Sequence, residues 1–136
     1  MTRPPSVLFV CVKNGGKSQM AAGLMHQAAG GAVRVDSAGT KAGTALNALS
    51  AEALLEVGVD ITRESPQQLT PELMSAADLI VTLSSETVVA PADQTPVENW
   101  NTDEPSERGI EGIERMRLVR DDIARRVKDL AARLGS

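Results

Sequence analysis

The chain has 136 residues, 42% of them hydrophobic, with a formal net charge of −4 and a pI near 5.0. This length predicts a single domain over residues 1–136, and the hydrophobic content excludes a disordered chain. The acidic balance argues against a nucleic-acid partner, and no apolar run approaches the ~20 residues of a membrane span. One cysteine and one histidine exclude an internal disulfide and predict no metal site. The N-terminus lacks the long apolar segment of a secretory signal, so we expect a cytoplasmic protein.

The first predicted elements are two strands separated by a helix. Val7–Val12 is a continuous apolar run that is typical of a buried parallel strand. The alanine-rich segment Ser18–Ala29 predicts a helix, which Gly30-Gly31 ends. Val33–Val35 predicts a short second strand that leads into a turn-rich loop at residues 36–40.

Three further helices are predicted downstream. Ser50–Val57 predicts a helix that Gly58 ends, and Thr70 caps a short helix with Pro71 at its first position. The final helix is amphipathic, with apolar residues at steps of three or four: Ile113, Met116, Val119, Ile123, Val127, Leu130 and Leu134. Its other face carries arginines, which we expect to be solvated and paired with Asp121, Asp122 and Asp129.

The remaining strands complete an α/β pattern. Leu79–Leu83 predicts a third buried strand, residues 84–96 are irregular, and Pro96–Trp100 predicts a short fourth strand. Strands that alternate with helices predict an α/β fold with a central four-stranded parallel sheet flanked by helices. Ligands of such sheets bind beyond the carboxyl ends of the strands, where Cys11, the only cysteine, is expected.

The segment that follows the first strand predicts an oxyanion site. A loop with two glycines comes after Cys11, and Ser18 then opens a helix. This geometry directs the backbone N–H groups of residues 12–17 and the positive end of the helix at one small volume. The thiol in that volume is a nucleophile, and its surroundings favour the thiolate form.

Two other interpretations of this segment are possible. A cysteine at a strand end is commonly a small buried hydrophobe, but an inert thiol gives no reason for the glycines and Lys17 that follow it. Gly16-Lys17-Ser18 also matches the end of the nucleotide-binding pattern G-x-x-x-x-G-K-[ST], which requires glycine where Cys11 stands. The oxyanion site fits the residues better than either.

Three motifs carry a resemblance to a known family. Cys11-Val-Lys-Asn14-Gly-Gly-Lys17-Ser18 resembles the loop C-x-x-N-x-x-R-S of the low-molecular-weight tyrosine phosphatases, and Gln19-Met20-Ala21-x-Gly23 is similar to the arsenate reductases that share that fold. Ser37-Ala38-Gly39-Thr40 resembles the family's second-strand loop. Asn99-Trp100-x-x-Asp103-Glu104-Pro105 resembles its acidic loop, in which an Asp precedes Pro. The resemblance covers residues 6–106, and the final helix completes the fold.

The departures from the family pattern favour a reductase over a phosphatase. Lys17 replaces the loop arginine, so we expect weaker bidentate binding of an oxyanion. The chain has no tyrosine, and Ser106 stands where the phosphatases carry an aromatic residue, so a small inorganic oxyanion suits the site better than phosphotyrosine. The resemblance thus implies an arsenate reductase. A phosphomonoesterase of the same fold and a non-catalytic oxyanion-binding or redox-sensing module are the alternatives.

The lone cysteine implies an external thiol. Many arsenate reductases of this family carry two more cysteines, which form a disulfide that is passed to thioredoxin, whereas Ser84 stands here where the next one is expected. One cysteine forms a thiol–arsenic adduct but cannot resolve it. The resemblance implies the subclass that uses mycothiol with a mycoredoxin as partner. Glutathione with a glutaredoxin-like protein is chemically equivalent and stays open, and no bound cofactor is implied.

The resemblance assigns a role to each site residue. Cys11 is the nucleophile, and Ser18 hydrogen-bonds its thiolate. Either Asp103 or Glu104 protonates the departing oxygen. The residues that bind the substrate are Val12, Lys13, Asn14, Gly15, Gly16 and Lys17.

Several of these residues also have a plain structural interpretation. Asn14 can simply be a turn residue, because Asn tolerates the left-handed conformation. In the family that conformation shapes the loop, often through contact with the serine that is Ser37 here. Ser18 can serve as a helix N-cap, and Lys13 is expected to be exposed, where it attracts anions. Lys17 can be a solvated lysine, and the two acids can form an acidic surface turn.

Overall fold

The computed structural model of the chain describes residues 3–83, 87, 89 and 95–135. The strands are β1 (Ser6–Cys11), β2 (Arg34–Gly39), β3 (Leu79–Leu83) and β4 (Val97–Trp100). The α-helices are α1 (Lys17–Ala29), α2 (Ala48–Leu55), α3 (Pro71–Ala76) and α4 (Gly112–Gly135), and short 3-10 turns cover Gly30–Ala32 and Pro105–Arg108. Ser84 and most of the segment predicted to be irregular lie outside the described residues.

The described strands form one parallel sheet in the order β2-β1-β3-β4, which confirms the predicted fold class. β1 lies inside the sheet, and its residues Val7 to Val10 are at most 1% exposed, which explains the continuous apolar run. Cys11 is the last residue of β1 and pairs with Gly39 of β2. It therefore lies at the carboxyl end of the sheet, where β2 lies on one side of β1 and β3 lies on the other. Open α/β sheets bind ligands at such a point.

The two faces of the sheet are covered by different helices. Val7 and Phe9 pack with residues of α1, α2 and α4, whereas Leu8 and Val10 pack with Met74 of α3. Such alternation follows from the two-residue period of a strand. Trp100 joins the first cluster and lies with its ring centroid 5.6 Å from that of Phe9. Among the described helices, none has the length and apolar character needed to cross a bilayer.

The prediction for β2 was wrong in extent. A short strand at Val33–Val35 followed by a loop was expected, but β2 runs from Arg34 to Gly39 and pairs with β1 along its whole length. Serine and glycine have little intrinsic preference for strands. The ladder to β1 on one side and the bridge from Gly39 to Gln68 on the other outweigh that preference.

The starts of α2 and α3 depend on capping side chains. Asn47 caps α2, since its side chain accepts the N–H of Ser50 at 2.9 Å, so this helix begins before the predicted Ser50. The predicted cap of α3 is confirmed: Thr70 accepts the N–H of Leu73 at 3.2 Å, and Pro71 is the first helical residue.

The arginine face of α4 is only partly solvated, which corrects the sequence-based expectation. Arg120 is buried, and its Nη1 donates to the carbonyl of Ala53 at 2.9 Å and to Glu56 at 2.8 Å. Arg117 donates to the same carboxylate, with its Nη2 2.7 Å away. The prediction that Asp121 and Asp122 pair with arginines is confirmed. Glu56 at the end of α2 thus fastens α4 to α2.

This network predicts an acid-dependent loss of stability. Arg117 and Arg120 donate hydrogen bonds to Glu56 and lower its pKa from 4.5 to about 2. A pKa lowered in the folded state adds stability above pH 4.5 that is lost as the pH falls towards 2. Glu56→Gln should therefore lower the free energy of unfolding at pH 7 more than at pH 3, as measured by urea unfolding. Glu111→Gln, an exposed control, should keep the wild-type pH dependence, and an equal loss for Glu56→Gln at both pH values would contradict the assignment.

Candidate active site

The loop between β1 and α1 is held by the segment that follows β2. Carbonyl groups of the loop accept hydrogen bonds of 2.6–2.9 Å from backbone N–H groups of residues 40–47. The carbonyl of Cys11 accepts from Thr40, that of Val12 from Lys41, that of Lys13 from Gly43 and that of Gly15 from Asn47. In a trans peptide the carbonyl and the following N–H point in opposite directions. The N–H groups that follow these carbonyls therefore point away from residues 40–47. One of them, the N–H of Asn14, reaches the sulfur of Cys11 at 3.2 Å.

Two glycines permit this close contact between the segments. A Cβ on Gly39 would lie 2.5 Å from the carbonyl oxygen of Val12, and one on Gly15 would lie 2.9 Å from that of Ala45. No real Cβ tolerates the first of these distances. The glycine of the Ser37-Ala38-Gly39-Thr40 motif is therefore required by the packing of backbone on backbone.

Asn14 shapes the loop through its backbone and its buried amide side chain. Its φ of 56° is the predicted left-handed conformation. The side-chain Oδ1 accepts the backbone N–H of Gln67 at 2.9 Å and Nε2 of Gln19 at 3.2 Å. The side-chain Nδ2 donates to the hydroxyl of Ser18 at 2.7 Å. These bonds fix the amide in one orientation.

The sulfur of Cys11 receives two hydrogen bonds. Besides the N–H of Asn14, the hydroxyl of Ser18 lies 2.9 Å from Sγ. Its direction follows from its neighbours, because the backbone N–H of Gln67 can only donate and so identifies Oδ1 of Asn14 as an acceptor. The amide Nδ2 then donates to Ser18, whose own proton is left to point at the sulfur. The sulfur is thus the acceptor of both hydrogen bonds.

The first turn of α1 faces the same place. The helix begins at Lys17 after Gly16, and within the described residues it has no side-chain cap. Ser18 is therefore inside the helix and is not the N-cap that was considered as its alternative role. An uncapped helix start leaves N–H donors that suit an anion.

A cleft of about 810 Å³ opens over the thiol. Cys11, Val12 and Lys17 line it on one side, and Asp103 and Glu104 line it on the other. The structure thus brings together residues that lie far apart in the sequence. Lys13 is exposed, as expected from the sequence.

Both candidate acids are engaged by cations. The carboxylate of Glu104 contacts Nζ of Lys17 through Oε1, and its Oε2 lies 3.6 Å from Nη2 of Arg115. Arg108 donates to both oxygens of Asp103 at 2.8 and 3.1 Å, and this pairing lowers the pKa of Asp103.

The predicted support from Ser37 takes a different route. In the part of the chain that the structure describes, Asn14 makes no hydrogen bond to Ser37. Instead, Gln67 links the two, since its Nε2 donates to the carbonyl of Ser37 at 2.7 Å and its backbone N–H donates to Asn14. The link between Asn14 and Ser37 among the described residues is therefore made through the hydrogen bonds of Gln67.

Sequence reasoning missed four polar residues that support this site: Gln19, Gln67, Arg108 and Arg115. Gln19 offered a signal, because it begins the motif that resembles the arsenate reductases. The structure shows it 4% exposed, so its amide needs partners. Gln67 offered none, since it acts on Asn14 through its backbone N–H.

The fold and the site define an α/β domain in which the loop between a parallel strand and a helix surrounds the only cysteine of the chain. The model of the low molecular weight phosphotyrosine protein phosphatase family matches residues 6–136. The chain belongs to this family.

Relatives within the family include arsenate reductases. That of Bacillus subtilis (strain 168) is 33% identical over 137 residues, which cover 92% of this chain and 94% of that protein. A solved arsenate reductase in the phosphate binding state has a TM-score of 0.83 at 26% identity, covering 96% of this chain and 98% of its own. The thioredoxin-dependent arsenate reductase of Corynebacterium glutamicum has a TM-score of 0.81 at 29% identity; the match covers 98% of this chain and 63% of that longer one. Arginine phosphatases at 24% identity share the fold.

Proposed function

We propose that this chain is an arsenate reductase that depends on an external low-molecular-weight thiol. The observation that carries the proposal is the sulfur of Cys11, which receives hydrogen bonds from Ser18 and Asn14 inside the loop. Arsenate has the shape and charge of phosphate, but its arsenic accepts thiol attack and two-electron reduction. The arsenate reductases among the relatives support this choice of oxyanion.

In the first step, the Cys11 thiolate attacks arsenic. An S–As bond forms, one As–O bond breaks, and the departing oxygen leaves as water after taking up protons. Arsenic stays As(V) in this adduct. The loop N–H groups of residues 12–17, the start of α1 and Lys17 hold the remaining oxygens and the charge that develops on them.

Glu104 is the better candidate for the proton transfer. It contacts Lys17 next to the loop, whereas both oxygens of Asp103 accept hydrogen bonds from Arg108. An oxyanion that binds Lys17 competes with Glu104 for this cation and places negative charge beside the carboxylate. Both effects favour a protonated Glu104 when the substrate is bound.

In the second step, an external thiol takes the arsenate from Cys11. Its sulfur forms an S–As bond as the bond to Cys11 breaks, which restores the Cys11 thiolate. A redoxin thiol then attacks the sulfur of this thiol–arsenate conjugate, so that two thiols become one disulfide and As(V) leaves as arsenite. Mycothiol with mycoredoxin is the proposed pair, with glutathione and a glutaredoxin-like protein as the equivalent. Such thiols stay reduced in the cytoplasm, which is the proposed location.

A phosphomonoesterase is the second candidate, because the family model that matches this chain describes phosphotyrosine protein phosphatases. Lys17 makes efficient phosphate-ester hydrolysis less favourable, because its ammonium group is a point charge on a flexible stem. It cannot bind two oxyanion oxygens at once as the planar guanidinium of arginine does. The two candidates differ in whether the product requires a reductant.

The test incubates the purified chain with arsenate and either mycothiol with mycoredoxin or glutathione with glutaredoxin, and follows arsenite release. A third reaction contains thioredoxin alone, and a fourth contains an aryl phosphate without thiol. We expect arsenite with at least one thiol–redoxin pair and none with thioredoxin alone, because the chain has only one cysteine. Hydrolysis of the aryl phosphate without arsenite in any reaction would contradict the proposal and favour the phosphatase.

A further inference from the structure

One carboxylate joins a lysine of the loop to an arginine of the last helix. Glu104 contacts Lys17 with one oxygen and lies 3.6 Å from Nη2 of Arg115 with the other. The two oxygens of a carboxylate have nearly the spacing of two oxygens along an edge of a tetrahedral oxyanion. Cations arranged around the first can therefore bind the second.

Arg115 lines the site, and one N–H group of its guanidinium has no acceptor among the described residues. Arg115 and Lys17 both line the cleft that contains Cys11 and also an adjoining cleft of about 660 Å³ beside Gly15 and Gly16. The Nε of Arg115 is buried and donates to no acceptor among the described residues. A buried guanidinium N–H without an acceptor is unfavourable, so Arg115 gains a hydrogen bond when its guanidinium turns to meet an oxyanion in the cleft.

The position of Arg115 is fixed by the helix that carries it. Met116 and Val119 on α4 are 7% and 1% exposed. Ser50 of α2 donates to the sulfur of Met116 at 3.4 Å. The first turn of α4 is therefore anchored next to the loop, so Arg115 reaches the site with a backbone that is already ordered.

We propose that Arg115 is a substrate-binding residue that supplies the guanidinium which the loop lacks at position 17. In this arrangement Lys17 contributes a point charge, and Arg115 grips an edge of the oxyanion from α4. Glu104 pairs with both cations before the oxyanion binds, and the oxyanion then replaces Glu104 as their partner. The inference rests on the proposed function in one respect: the oxyanion enters the Cys11 loop.

The test measures phosphate binding by isothermal titration calorimetry at constant ionic strength. Phosphate is the probe because its binding requires neither a thiol nor arsenate reduction. Arg115→Gln should weaken phosphate binding about tenfold or more, the typical effect of losing a charge-assisted hydrogen-bonding pair. Arg115→Lys should give an intermediate affinity. Lys128→Gln, which removes one positive charge from an exposed position of the same helix, should bind like the wild type.

Two more variants separate direct binding from an indirect effect through Glu104. The double variant Lys17→Arg with Arg115→Gln returns a guanidinium to the loop and should recover most of the lost affinity. Glu104→Gln releases both cations from their carboxylate and should bind phosphate more tightly than the wild type. If Arg115 only positioned Glu104, Glu104→Gln would weaken binding as Arg115→Gln does, and the double variant would stay weak.

Unchanged phosphate affinity in Arg115→Gln, or a double variant that stays as weak as Arg115→Gln, would overturn the inference. The proposed function fails separately, since it predicts arsenite release. A chain that binds phosphate in the expected order but releases no arsenite would keep Arg115 as an oxyanion residue and would contradict the reductase. Thermal unfolding of each variant shows whether the fold is kept, and Arg115→Lys retains the charge if Arg115→Gln is unstable.

Discussion

Replacing Cys11 with serine should abolish arsenite release while the fold and phosphate binding are kept. A serine hydroxyl is a far weaker nucleophile than a thiolate and forms no S–As bond, so the adduct that the external thiol must attack never forms. The chain has no second cysteine that could substitute for it. The rate should therefore fall to that of the thiol–redoxin mixture without the protein.

The measurement compares the wild type and Cys11→Ser in the same reconstituted reaction and follows both with phosphate calorimetry. The hydroxyl can still accept the bond from the N–H of Asn14, so we expect phosphate affinity within a few-fold of the wild type. Arsenite release by the serine variant at a rate near that of the wild type would contradict covalent catalysis. A wild type that binds phosphate but releases no arsenite with any thiol would instead indicate the oxyanion-binding module.

The fold was predictable where local signals and tertiary contacts agree. β3 was predicted with its observed bounds, Leu79–Leu83, because an apolar run of that length suits a strand buried on both faces. β2 was not, because its second half is Asp36-Ser37-Ala38-Gly39, and only the pairing with β1 makes this segment a strand. A single sequence contains no direct trace of that pairing.

The candidate site was predictable to the extent that its residues are close in sequence. The loop from Cys11 to Ser18 has a fixed spacing, so Cys11, Asn14 and Ser18 were expected together, and the structure joins them by hydrogen bonds. The partners from distant segments were not predictable in the same way. Gln67 contributes a backbone N–H, which every residue except proline has, and nothing in its side chain indicates the contact.

Arg115 shows a signal that was present but easily overlooked. It lies in the first turn of α4, where the positive end of the helix dipole disfavours a cation. An arginine at this place is better explained by a partner outside the helix, and the structure provides Glu104. The motif that contains Glu104 and the helix that contains Arg115 were both recognised, but their juxtaposition required the fold.

Substituting Gly39 with alanine should damage both the stability and the site. The added Cβ would meet the carbonyl oxygen of Val12 at 2.5 Å and the carbonyl carbon of Lys13 at 2.9 Å, and neither backbone atom can rotate away. The loop or β2 must therefore shift, which strains the bonds from Thr40 and Lys41 to the loop carbonyls. We expect a loss of about 1–3 kcal/mol in the free energy of unfolding, the usual range for overpacking. Because a displacement of about 1 Å can reduce catalysis about 100-fold, arsenite release should fall by more than the stability loss implies.

Gly31→Ala is the matched control, since a Cβ at Gly31 meets no atom within 4 Å. Neither glycine has a positive φ, so both substitutions are allowed by the backbone and differ only in what the new methyl group meets. Urea unfolding should place Gly31→Ala within about 0.5 kcal/mol of the wild type, with unchanged phosphate affinity. If Gly39→Ala matched this control in stability and in phosphate binding, the loop would not depend on contact with β2, and the arrangement of N–H groups around Cys11 would need another cause.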